Sequence, residues 1–128
     1  MIRTQFTLYL QNRKGALAEV LKALSVAGVN IEGISAGSTP DVGLVQLIVD
    51  SDRKTARALK ARKIAFTEQQ VVSVRLSNER GALARLTRRL AGAGLNLHYV
   101  YGTTCENGCA CRLVVSGENL KQLEALCR

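Results

Sequence analysis

Two short stretches carry residue types suited to holding a small polar molecule: Asn12-Arg13-Lys14-Gly15-Ala16-Leu17 and Asn78-Glu79-Arg80-Gly81-Ala82-Leu83. Asparagine brings amide donors and a carbonyl acceptor, a match for the carboxylate and ammonium groups of a zwitterion. A glycine where a strand turns into a helix leaves room for close approach to the backbone. The first N–H groups of that helix have no intrahelical partner and favour an anion such as an α-carboxylate. The same residues also serve as ordinary turn and cap devices, so a purely structural reading of both loops stands beside the ligand reading.

Other chemistry is thinly supplied. Catalysis needs a nucleophile with its base, paired carboxylates or a metal centre, and the chain presents no such set. His98, the single histidine, lies beside Tyr99 and Tyr101 and reads as a half-buried packing or interface residue. Neither loop has the GxxxxGK[ST] or GxGxxG spacing of a nucleotide-binding turn. The four cysteines, Cys105, Cys109, Cys111 and Cys127, all fall in the last 24 residues. Their x3 and x1 spacing departs from the paired CxxC knuckles of structural zinc sites. They read as free thiols, with Cys109 and Cys111 as small apolar residues of a strand. The protein is therefore expected to be no enzyme and to hold neither metal nor cofactor.

The net charge of +8 favours encounter with acidic partners without specifying one. Six basic residues fall between Arg53 and Lys63, and Arg80, Arg85, Arg88 and Arg89 make a second group. Nucleic-acid recognition on a sheet needs stacking aromatics on its central strands. Phe6, Tyr9, Phe66, Tyr99 and Tyr101 form no such run. Nucleic acid is not an expected partner, and remains only as an electrostatic alternative without sequence readout.

The elements that position the two loops repeat. Asn12–Ile31 (NRKGALAEVLKALSVAGVNI) and Asn78–Leu97 (NERGALARLTRRLAGAGLNL) share nine identities in twenty at an offset of 66, and such periodicity governs the whole fold. The offset extends by character from Phe6–Leu10 to Val72–Leu76 and from Leu47–Val49 to Leu113–Val115. Alternation of Phe6, Leu8 and Leu10 with polar neighbours predicts a half-buried strand. Leu17, Val20, Leu21 and Leu24, and again Leu83, Leu86 and Leu90, predict helices laying one apolar face on a sheet. Second strands follow at 31–36 and 97–101 and third strands at 44–49 and 110–115. Second helices span 52–62, opened by Ser51-Asp52, and 118–127, opened by Gly117-Glu118. Residues 65–69 add a closing strand to the first copy. The turns between second and third strands are Pro40-Asp41-Val42-Gly43 and Glu106-Asn107-Gly108.

A β-α-β-β-α-β order is the ferredoxin-like plan, an antiparallel sheet with both helices on one face. The expected fold is thus α+β, two such modules at residues 1–70 and 71–128. With 128 residues the chain can bury a core without metal or disulfides. No apolar run approaches the roughly 20 residues of a membrane span, and the start has no secretory apolar region, so a cytoplasmic protein free of membrane is expected.

The doubled strand-NxxG-A-L-A-helix-A-G-x-N-strand pattern resembles the ACT domains, and in particular proteins made of two such modules. The resemblance implies a regulatory module that binds an amino acid or related carboxylate, often as a homodimer or with a metabolic enzyme as partner. It places ligand contacts at Asn12, Gly15, Ala16, Leu17, Asn30 and Ile31, and at Asn78, Gly81, Ala82, Leu83, Asn96 and Leu97. ACT modules often have a proline before the loop glycine, where this chain has Lys14 and Arg80. An alternative is a structural or interaction module without ligand.

The second copy has no counterpart of the closing segment 63–71 within the sequence. Val72–Leu76 is therefore expected to present an open edge, met by Ala65–Gln69 or Phe6–Leu10 to give one continuous sheet, or by a second chain.

Overall fold

The computed structural model describes residues 1–103 and 110–128. The chain divides into two compact units, Thr4–Gln69 and the set Met1–Arg3 with Gln70–Arg128, here the first and second unit. The elements follow in the order β1 (Ile2–Gln11), α1 (Ala16–Val26), β2 (Ile31–Ser38), β3 (Val42–Val49), α2 (Asp52–Ala61), β4 (Ala65–Leu76), α3 (Ala82–Gly92), β5 (Leu97–Thr103), β6 (Cys111–Gly117) and α4 (Leu120–Leu126). The two strands expected at 65–69 and 72–76 are one strand of 12 residues. Gln70 and Val71 between them include no glycine or proline, so nothing ends the extended chain there. Among the described residues no helix is long and apolar enough to cross a membrane.

In the first unit the strands lie in the order β2-β3-β1-β4, the ferredoxin-like arrangement. Strand β1 runs antiparallel to β3 with Phe6 opposite Leu47 and Leu8 opposite Val45. Those side chains meet Val20 and Leu24 of α1 and Leu59 of α2 in the core. The odd residues of β1 face away from the helices. There the buried Gln5 donates from Nε2 to Thr7 Oγ1 at 3.0 Å, and Thr7 donates to Gln69 Oε1 at 3.0 Å. These bonds satisfy the polar groups that a buried position would otherwise penalise. Helix α2 is opened as expected by Ser51, whose Oγ accepts the Lys54 N–H at 3.3 Å. It buries Thr55 and Leu59 and turns Arg53, Lys54, Arg57 and Lys60 outward, so the basic run is a solvated helix face.

In the second unit the order is β1-β4-β6-β5, and the core is built from Val72, Val74, Leu86, Leu90, Leu113, Val115 and Leu123. The edge expected to be open is covered by the chain's own first residues. Ser73 N–H donates to Met1 O at 2.8 Å, and the Met1 amino group donates to Ser73 O at 3.0 Å. Such a reciprocal pair is the antiparallel hydrogen-bonded type. Met1–Arg3 thus pair along Val72–Leu76, in place of the segments expected from sequence.

The constant offset of 66 fails at the third strands. Phe6 pairs with Leu47, but its counterpart Val72 pairs with Val115. Leu47 therefore corresponds to Val115, an offset of 68, and Leu47–Val49 does not match Leu113–Val115. The helices agree, since buried Thr55 and Leu59 of α2 correspond to Leu123 of α4 and to Cys127 at its C-cap. A slip of two preserves strand parity and keeps the same face buried. It also moves the opening of α4. Asn119, not Gly117-Glu118, caps it, with Oδ1 accepting the Gln122 N–H at 3.3 Å.

Candidate functional site

Each unit has a cleft at the corner where its first strand gives way to its first helix. In the first unit this space is about 250 Å³ and is lined by Leu10, Gln11, Asn12, Arg13, Ala16, Leu17, Ala36, Gly37, Ser38, Gly43 and Val45. In the second unit it is about 340 Å³ and is lined by Leu76, Leu83, Val100, Tyr101, Gly102, Thr103, Cys111, Arg112 and Leu113. Leu10 and Leu76, Leu17 and Leu83, Ala36 and Gly102, and Val45 and Leu113 are equivalent by repeat. The sequence therefore folds two copies of one concavity.

The loop glycines set the corner. Gly15 and Gly81 both take φ +84° as N-caps of α1 and α3, with no side-chain cap bond. A left-handed φ is open to glycine and costs an L side chain about 1–2 kcal/mol. A Cβ at Gly15 would meet nothing within 4 Å, whereas one at Gly81 would lie 3.2 Å from Arg85 Nη1. The Ala16 and Ala82 N–H groups turn back to the Arg13 and Glu79 carbonyls at 3.3 and 3.2 Å, and the following N–H groups with the helix dipole attract negative charge, beside open backbone at Gly15 and beside Arg85 at Gly81.

An ion pair ties each loop to its helix. Arg13 donates from Nη2 and Nη1 to Glu19 at 2.6 and 3.2 Å. The hydrogen bond first and the opposite charge second hold Glu19 below its ordinary value and Arg13 above its own. In the second unit the equivalent positions are reversed, with Glu79 in the loop and Arg85 on the helix, 3.6 Å apart.

Asn12, Ala16 and Leu17 line one cleft and Leu83 the other; Gly15 and Gly81, with Ala82 buried and Asn78 exposed, flank them. The Asn12 side chain donates to the Thr39 and Pro40 carbonyls at 3.2 and 3.1 Å. Its amide nitrogen therefore braces the β1–α1 loop against the β2–β3 turn. Asn30 and Ile31 lie elsewhere. Ile31 is opposite Val49 while Gln11 is opposite Val42, seven residues along β3 or about 23 Å at about 3.3 Å per residue. There the Asn30 N–H donates to Asp50 Oδ1 at 2.9 Å. Asn96 accepts from the Glu118 N–H at 3.3 Å, and Leu97 lies opposite Gly117, again at the far end of its unit's sheet. Within one unit, these four do not share the cleft.

Sequence reasoning missed Ser38, Gly43 and Val45, which come from β2 and β3 and reach the loop only through strand pairing. It also missed a larger cleft in the first unit, about 450 Å³, where Arg62 and Lys63 face Arg13 and Glu19. His98 is exposed, not half-buried. It falls at a bulge between Leu97 and Tyr99, where an extra residue leaves the ladder. Cys105, Cys109 and the Glu106-Asn107-Gly108 turn lie outside the described residues. Burial raises the Cys127 thiol above its usual value, and likewise the Tyr101 phenol.

Comparison with known proteins accords with this geometry. The chain is similar over 98% of its length to protein BT0572 from Bacteroides thetaiotaomicron, with 26% identity, 86% of that chain covered and a TM-score of 0.91. It is similar in fold to the ligand-free regulatory subunit of aspartate kinase from Thermus thermophilus, with 19% identity, 98% and 92% of the two chains covered and a TM-score of 0.68. A putative C-terminal regulatory domain of aspartate kinase from Porphyromonas gingivalis gives 13% identity, 98% and 91% coverage and a TM-score of 0.60. No curated protein matches. The family model described as an ACT domain pair matches residues 1–124, and the chain belongs to that family.

Proposed function

We propose that this ACT domain pair is a non-catalytic regulatory protein that binds a small amino acid or related carboxylate and acts through assembly or on a metabolic enzyme. The observation that carries the reading is the doubled cleft. Each copy sets an open helix N-terminus against a pocket wall of the right size for a few heavy atoms, in a corner held by glycine at φ +84°. The α-carboxylate is assigned to the N–H group of Leu17 in one unit and of Leu83 in the other, since the Ala16 and Ala82 N–H groups already donate to the Arg13 and Glu79 carbonyls. Asn30 and Asn96, remote from the cleft of their own unit, are assigned to contacts that a neighbouring module would complete. Regulatory subunits among the similar structures support the regulatory part of the reading.

Thermal denaturation against each of the twenty amino acids tests it. A ligand that binds only the native state at 100 times its Kd adds about 2.7 kcal/mol. At least one amino acid is expected to raise the midpoint, and no shift with any amino acid or related carboxylate at millimolar concentration contradicts the proposal.

A specific observation favours assembly. Leu17 and Ile34 in the first unit are 37% and 45% exposed, and their counterparts Leu83 and Val100 are 44% and 39% exposed. Apolar side chains left out at matching places beside terminal strands of both units fit a self-complementary contact. We assign a homodimer to this surface. Light scattering is expected to give a dimer that Ile34→Lys with Val100→Lys converts to monomer, and a wild-type monomer contradicts it.

A further inference from the structure

Strand alternation sorts the lining of the second unit's cleft into two faces. Val72 and Val74 of β4 belong to the core beneath the helices, so Leu76 shares their face. Leu76 lies opposite Cys111 and Val74 opposite Leu113 of β6. Gly102 of β5 lies opposite Leu113, and Val100 opposite Val115. Leu76, Val100, Cys111 and Leu113 therefore stand on the helix face, where Leu83 of α3 lines the same cleft. Tyr101, Thr103 and Arg112 fall on the other face by the same registers. The side chains on the helix face are thus all apolar, the cysteine behaving as a small hydrophobe.

The first unit differs at the matching places. Leu10 is opposite Gly43, where Leu76 has Cys111, and Gly43 is in turn opposite Ser38. A Cβ at Gly43 would lie 3.6 Å from Leu10 Cβ, an ordinary contact, so the fold has room for the side chain that only the second copy carries. Ser38 and Asn12 give the first cleft a polar edge. An apolar wall rewards the burial of hydrocarbon and penalises a polar or charged group that finds no partner. The second cleft, about 340 Å³ against about 250 Å³ for the first, is also the larger. We infer that the second cleft selects an α-amino acid with a branched aliphatic side chain and that the first does not share this preference. The inference rests on the amino-acid reading of the two corners: the α-carboxylate meets the Leu83 N–H, and the hydrocarbon lies against Leu76, Cys111 and Leu113.

The test is amide NMR of the full chain titrated separately with L-alanine, L-valine, L-leucine, L-phenylalanine, L-serine and L-aspartate. Leu83 and Ala84 read the second cleft, and Leu17 and Ala18 the first. At the second cleft affinity is expected to rise about fourfold with each carbon added from alanine to valine to leucine, with serine and aspartate the weakest. Cys111→Asp is expected to weaken leucine there at least about tenfold and to leave the first cleft unchanged. Cys111→Ser reads the same direction should Cys111→Asp fail to fold. Serine, aspartate or phenylalanine bound in preference to leucine at the second cleft overturns the inference and leaves the amino-acid reading standing. The same order of affinities at both clefts does so too. Absence of binding by every one of these amino acids at both clefts overturns the inference together with the reading beneath it.

Discussion

Arg13 and Glu19 in the first unit and Glu79 and Arg85 in the second occupy equivalent positions with their charges exchanged, at 2.6 and 3.6 Å. The backbone they brace is the same to within a few degrees, with φ +84° at both glycines. A similar exchange occurs on the cleft floor. Ala36 opposite Val45 becomes Gly102 opposite Leu113, one residue smaller and its partner larger. The repeat therefore retains backbone geometry and total volume while releasing charge sign and side-chain identity. Two clefts of common origin thus offer different chemistry, one with Gln11, Asn12 and Ser38 and the other with Tyr101, Thr103 and Cys111.

Truncating the equivalent core leucines probes the strongest part of this likeness. Leu24 and Leu90 are 0% and 1% exposed, and Leu24→Ala and Leu90→Ala are each expected to cost about 2–5 kcal/mol in urea denaturation. A loss below about 1 kcal/mol in either breaks the claim that the two cores are built alike. The volume exchange predicts a smaller effect with opposite choices in the two units. A Cβ on Gly102 would lie 2.7 Å from Arg112 O and 2.8 Å from Leu113 Cδ1, so Gly102→Ala is expected to cost about 1–3 kcal/mol by overpacking. Ala36→Gly in the other unit costs only about 0.5–1 kcal/mol by backbone entropy. Equal values in the two variants remove the case for compensation.

The loop glycines come next. Gly15→Ala and Gly81→Ala are each expected to cost about 1–2 kcal/mol from the left-handed backbone, with Gly81→Ala the more severe because Arg85 Nη1 must move. A stabilising alanine at either position contradicts the assigned geometry. The smallest effect is the pH dependence of the first ion pair. Arg13 lowers the Glu19 pKa, so the pair contributes above the ordinary glutamate value and its contribution is lost as pH falls through the lowered one. The carboxyl carbon of Glu19, followed by NMR, is expected to titrate below the ordinary glutamate range and to return to it in Arg13→Gln. A wild-type midpoint at the ordinary value disproves the tie.

Much of this was legible in the sequence because it depends on periodicity and local steric rules. Phe6-Leu8-Leu10 and Leu17-Val20-Leu24 mark a strand and a helix by spacing alone, and Gly15 and Gly81 mark a turn that other residues resist. The two-residue slip of β6 was hidden because strand parity is unchanged by an even shift, so Leu113–Val115 matches Leu47–Val49 equally well by character. The cover over Val72–Leu76 was hidden for another reason. Pairing of Met1 with Ser73 joins residues 72 apart, and no local pattern encodes a partner at that range. The cleft walls from Ser38, Gly43 and Val45, and the separation of Asn30 from Asn12, likewise exist only once β2, β3 and β1 are paired.

Ligand binding at the two corners is the central claim. The most direct measurement is backbone amide NMR of the full chain, titrated with whichever amino acid raises the thermal midpoint most. The predicted result is saturable shifts centred on Ala16–Ala18 and Ala82–Ala84, of different affinity in the two units, with Asn12 and Leu83 responding alongside. No saturable change with any amino acid, or changes confined to residues away from both strand-to-helix clefts, would contradict it.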